Sequence, residues 1–209
     1  MGLGKNGRAI IAPRISQACA HLPVRNEPRW FASQRHTHQN IPEAVVPWLL
    51  DRSSLTARVL RACDGGFRVE LLGQWRGRPL PGEAQFLGIP VGRHALIREV
   101  RLCCDRERWV YARSVIPLAT LHGAGRKLGN LGTRPLGAVL FADRRVRRTA
   151  VELARVQPGE LIHRHALQGL PESRDPIWGR RSLFRIAAAP LLVSEWFLPG
   201  LPRFPGGKR

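Results

Sequence analysis

The chain has 209 residues, enough for one domain with a substantial core, and its 44% hydrophobic and 23% charged content is that of a globular protein and not of a disordered one. Thirty-four Lys and Arg against fifteen Asp and Glu give a net charge of +19, which favours an anionic partner: nucleic acid, an acidic membrane surface or a carboxylate metabolite. The longest candidate for a membrane span, Ile186 to Leu198, is 13 residues long and contains Pro190 and Glu195, well short of the about 20 apolar residues needed, so no membrane insertion is expected. Residues 1–40 hold Pro, Gly and basic residues without sustained periodicity, and are expected to form a flexible basic N-terminal extension. From Ile41 the pattern becomes ordered. "IPEAVVPWLL" predicts a short apolar turn or helix, and "SSLTARVLRAC" a helix with a Ser cap and Leu55, Val59, Leu60 and Cys63 on one face.

After the "DGG" break, "FRVELLGQW" and "EAQFLG" predict two strands joined by a turn. "HALIREVRLCC", "DRER" and "WVYARSVIP" then predict an antiparallel hairpin. "LGTRPLGAVLF" predicts a helix with Thr133 as cap and Pro135 at its first position. "DRRVRRTAVELARV" reads as a strand followed by a loop, and "WGRRSLFRIAAA" and "LLVSEWFLP" as two more strands. Runs of strands with a few short helices and no β-α-β alternation predict one α+β domain around an antiparallel sheet over 41–200, with 201–209 a loose end. The cysteines Cys19, Cys63, Cys103 and Cys104 include no C-x-x-C pair and read as reduced, structural thiols of a cytoplasmic protein.

Two charges fall where the pleat places core residues. Arg98 shares its parity with Leu96, Val100 and Leu102, and Glu195 shares its own with Leu191, Val193 and Phe197, so both are expected to point inward. A buried charge needs a partner, and the natural options are an Arg98–Glu195 salt bridge or a bound ligand. With a ligand, Arg98 would fork onto a carboxylate, and Glu195 would meet a hydroxyl or take part in proton transfer. The first backbone N–H groups of two helices, near Leu55 and near Leu136, could add donors, and Gly137 would allow a close approach. The seven His are scattered, so no metal site is expected. No G-x-S-x-G or Walker loop is present, and the basic clusters "DRRVRR" and "WGRR" read as solvated strand faces, so no nucleic-acid partner is expected.

The ordered series "PWLLDRSSLT", "LIREVRLCCD", "WVYARSVIPLATL", "LGTRPLGAVLF", "WGRRSLFRI" and "PLLVSEWFLP", spread over 41–199, resembles the chorismate lyase family of ubiquinone biosynthesis. The resemblance implies an aromatic ligand enclosed against a six-stranded antiparallel sheet beneath helical flaps. It also implies cleavage of chorismate to 4-hydroxybenzoate and pyruvate without cofactor or metal, in the cytoplasm, by a chain expected to be a monomer. The family's ligand-contacting positions fall on Leu55, Arg98, Leu136 and Glu195, with Arg98 and Glu195 as the catalytic pair. A member of that family carries Met at the place of Leu55. A non-catalytic alternative shares the architecture: the effector-sensing domains of some transcription regulators, which need a DNA-binding domain that residues 1–40 are too short to supply.

Overall fold

The computed structural model describes residues 27–33 and 41–203. Its centre is one antiparallel sheet of seven strands: β1 (Phe31–Ala32), β2 (Phe67–Gly77), β3 (Ala95–Cys104), β4 (Glu107–Pro117), β5 (Val146–Val156), β6 (Ile177–Ile186) and β7 (Ala189–Phe197). They lie in the order β1-β5-β6-β7-β4-β3-β2. Among the described residues five short α-helices cover the two faces, α1 (Val46–Leu50), α2 (Leu55–Ala62), α3 (Pro81–Leu87), α4 (Leu136–Ala142) and α5 (Leu161–Leu167), and 3-10 turns run over Leu118–Leu121 and Gly123–Asn130. The fold is the expected α+β domain, with one strand more than the six implied by resemblance. That strand, β1, lies within the expected extension and pairs Phe31 with Leu153, while Trp30 packs 5.2 Å from Trp196. The rest of the extension, 1–26 and 34–40, lies outside the described residues, as do 204–209 of the C-terminal end.

The β3–β4 hairpin forms where alternation predicted it. Its turn is Asp105-Arg106, and Asp105 takes the left-handed conformation (φ 48) that Asp tolerates better than most side chains. Strand β3 is buried along its whole length, so both of its faces carry weight: even-numbered residues face α1, α2 and α4, and odd-numbered ones face α3 and α5. Strands β6 and β7 pair in continuous register from Trp178↔Phe197 to Ile186↔Ala189, which sets Arg180 beside Glu195. Gly179 is required here, because a Cβ would lie 2.0 Å from the Trp196 ring across the pair.

Three local readings change. "EAQFLG" is helix α3 and not a strand: Pro81 starts it, the Glu83 carboxylate accepts from Leu80 N at 2.9 Å, and Gly88 (φ 69) ends it. The loop after β5 contains α5. Pro135 is the residue before the first helical turn of α4, and the Thr133 side chain does not cap it. The thiols also differ from expectation. Cys63, at the C-terminal end of α2, forms a disulfide with Cys104 at the end of β3 (Cα–Cα 5.6 Å), leaving Cys103 free and buried on the other face. Among the described residues no helix is long and apolar enough to cross a membrane.

Candidate active site

Helices α2 and α4 cross the even-numbered face of β3 with their N-terminal ends together. Ser54 caps α2 by accepting from Ala57 N at 3.3 Å, and the apolar face of that helix buries Leu55 and Val59. Gly137 makes the junction possible, since a Cβ there would meet Thr56 Oγ1 at 2.7 Å. The close approach expected at Gly137 is thus to the neighbouring helix. Beneath the junction lies a pocket whose walls include Leu55, Leu136, Leu140, Phe184 and Val193, and whose polar groups include Thr56, Ser114, Arg98 and Glu195. The four residues singled out from the sequence line this single pocket.

Arg98 is 1% exposed and has no carboxylate within ion-pair distance among the described residues. Its Nη2 donates to the carbonyls of Gly132 (3.0 Å) and Arg134 (3.1 Å), in the loop leading into α4. Its Nε is buried without a hydrogen-bond partner. Burial without a counter-charge pushes its pKa down to about 10, so it remains a cation at neutral pH but one short of a partner. A carboxylate entering the pocket would supply both the missing acceptor and the missing charge.

Glu195 does not pair with Arg98. Its Oε2 accepts from Arg180 Nε at 2.6 Å, and Arg180 is itself 1% exposed. The other end of the Arg180 guanidinium reaches the C-terminal carbonyls of α1, with Nη1 donating to Trp48 O (3.0 Å), Leu49 O (3.4 Å) and Asp51 O. The acid is therefore oriented by a buried fork that also anchors the connection into α2. Its surroundings are less apolar than periodicity implied.

Periodicity found Arg98 and Glu195 because each interrupts an apolar parity; it missed Arg180. In "WGRRSLFRI" the two adjacent arginines face opposite sides of a strand buried on both, so no alternation marks either one. The cluster "DRRVRR" places Arg148 on an expected solvated basic face. A register shift between Arg148 and Ala150 instead turns Arg148 toward the side of the pocket, opposite Phe184.

The architecture is that of an α+β domain: an antiparallel sheet with a pocket under short helices, lined by a buried cation and an acid. Solved structures of similar fold include PhnF from Mycobacterium smegmatis, with TM-score 0.55, 17% identity and coverage of 73% of this chain and 67% of that one. Its effector domain matches with TM-score 0.50 and 18% identity, over 72% of this chain and 91% of that one. At these identities the likeness concerns the fold alone. The family model for chorismate lyase matches residues 26–204. A probable chorismate pyruvate-lyase of Methylococcus capsulatus is 47% identical over 76% of this chain and 96% of its own length. One of Methylobacillus flagellatus is 42% identical over 76% and 89%. The chain belongs to the chorismate lyase family.

Proposed function

We propose that the protein is a chorismate pyruvate-lyase, releasing 4-hydroxybenzoate and pyruvate for ubiquinone synthesis in the cytoplasm, as a monomer and without a cofactor. The carrying observation is Arg98: a buried cation with no acid partner among the described residues, in the same pocket as Glu195. Arg98 holds the ring carboxylate, Glu195 faces the hydroxyl end, and Leu55 and Leu136 supply apolar walls and main-chain donors. Because the contact at position 55 is made by the main chain, Leu preserves it where a relative has Met.

The reaction breaks the bond between the ring carbon and the enolpyruvyl oxygen, and removes the hydrogen from the neighbouring, hydroxyl-bearing carbon. The enolpyruvyl methylene gains one hydrogen, directly from the ring carbon or as a proton in exchange for the one removed, giving the methyl group of pyruvate, so atoms balance with no oxidant. Aromatisation supplies the driving force. Two routes fit: internal transfer in a folded substrate held by the pocket, or proton removal by Glu195. The Arg180 fork supports the first, because it engages the carboxylate that would have to act as base.

The test is formation of 4-hydroxybenzoate and pyruvate, in equal amounts, from chorismate by the purified chain. Folded protein that binds chorismate and makes no product would transfer it to the sensing class. Glu195→Gln separates the routes: internal transfer predicts a loss below about tenfold, and general-base catalysis one of about 10²–10⁴-fold.

A further inference from the structure

Three guanidinium groups stand on the pocket side of the sheet: Arg98 on β3, Arg148 on β5 and Arg180 on β6. The carboxylates nearby are already engaged, Glu195 by Arg180 (2.6 Å) and Asp51 by Arg58 (2.7 Å). Arg98 and Arg148 are left without a carboxylate among the described residues, an excess of two positive charges at one site.

Arg148 is held in place but incompletely satisfied. Nε and Nη2 both donate to the single hydroxyl of Ser182, at 3.0 and 2.5 Å, and Nη1 makes only long contacts to Asp51 O (3.5 Å) and Arg52 O (3.3 Å). Its guanidinium lies 5.6 Å from the Phe184 ring centroid, and Phe184 is a wall of the pocket. On its other side it lines a groove with Leu50, Arg52, Thr149 and Val151. It thus stands behind the Phe184 wall of the pocket and opens to the groove, close enough to Glu195 for the two charges to interact. Burial, and to a lesser extent the neighbouring Arg180, pushes its pKa down to about 10.

Resting on the reading of chorismate as substrate, we propose that Arg148 binds the carboxylate of the enolpyruvyl arm and so distinguishes the dicarboxylate substrate from the monocarboxylate product. The arm leaves the ring next to the hydroxyl-bearing carbon. With the ring carboxylate on Arg98 and the hydroxyl toward Glu195, the arm must extend from the Glu195 end, where Arg148 offers the unmatched charge. Once the bond breaks, the second carboxylate leaves with pyruvate, and 4-hydroxybenzoate keeps only its contact with Arg98.

The experiment compares chorismate turnover with 4-hydroxybenzoate binding in the same proteins. Arg148→Gln is expected to lower kcat/KM for chorismate by about 10²-fold while the Kd for 4-hydroxybenzoate stays within about threefold. A kcat/KM within about threefold of wild type, or an equal loss of product affinity, overturns the assignment. Should Arg148→Gln unfold, Arg148→Lys carries the test: charge without the planar fork should raise KM about five- to tenfold and leave product affinity unchanged, and an unchanged KM overturns it. Wild-type protein that neither binds nor turns over chorismate would instead remove the functional reading itself, and this inference with it.

Discussion

On the sheet face covered by α3 and α5, Arg113 lies between Glu83 and Glu99 at 2.7 Å from each, Arg181 meets Glu152 at 2.6 Å, and Arg101 lies 4.0 Å from Glu70. On the opposite face Arg180 has Glu195, but Arg98 and Arg148 have no carboxylate partner among the described residues. Both faces bury comparable guanidinium groups, and among the described residues only the face under α3 and α5 sets a carboxylate within 4.0 Å of each of those named. A buried ion is tolerated at low cost only when a partner offsets its desolvation. The balanced face therefore reads as a structural layer fixing α3 to the sheet, and the other as a layer in which Arg98 and Arg148 have no carboxylate among the described residues.

The sharpest way to break this comparison is to remove one partner from the balanced face. Burial works against the Arg113 charge, but Glu83 and Glu99 outweigh it and hold its pKa above the usual arginine value. Arg113→Ala leaves two buried carboxylates facing each other, and should lower the unfolding free energy by about 3–5 kcal/mol, measured by urea denaturation. A loss below about 1 kcal/mol would mean the cluster is not holding this face together.

Arg98→Gln should show the reverse profile. Relief of an unpaired buried charge offsets the lost hydrogen bonds to Gly132 and Arg134, so stability should remain within about 1 kcal/mol of wild type. Affinity for 4-hydroxybenzoate should fall by about 10²–10³-fold, read by calorimetric titration. Unchanged affinity would make Arg98 an anchor for the loop before α4 and nothing more.

This difference between faces was only half legible in the sequence. Period-2 alternation exposed Arg98 and Glu195 because their strands keep one clearly apolar parity, and it exposed the β3–β4 hairpin for the same reason. It could not pair them. Which cation meets Glu195 depends on the β6–β7 register, and Arg180 and Arg181 are neighbours in a strand with no solvent-facing side. Arg148 reaches the pocket side through a register shift that no composition rule marks. Helix α3 was hidden by "PLPGEAQFLG", where Pro-Gly suggests a turn although Pro81 and Glu83 also fit a helix start. The disulfide joins residues 41 apart, and adjacent Cys103 and Cys104 look equivalent until the pleat sends them to opposite faces.

The smallest expected effect concerns the acid that the pocket side uses for structure. Asp51 lies in the connection between α1 and α2. Partial burial pushes its carboxyl up, but hydrogen bonds from the Ser53 hydroxyl and amide, together with Arg58 and Arg180, bring it below the usual Asp value. A carboxyl lowered on folding stabilises the fold fully above its unfolded value, near 3.8, and that contribution disappears as pH falls through the lower folded value. Below about pH 4 the connection carrying α2 should therefore loosen, and amide exchange in 51–58 should rise before exchange in β3 and β4. In Asp51→Asn, the 51–58 segment should exchange faster at neutral pH and show no further acid-dependent step. A variant that keeps the wild-type acid step would assign it to another group, and Asp51 would then have no part in holding the flap over the pocket.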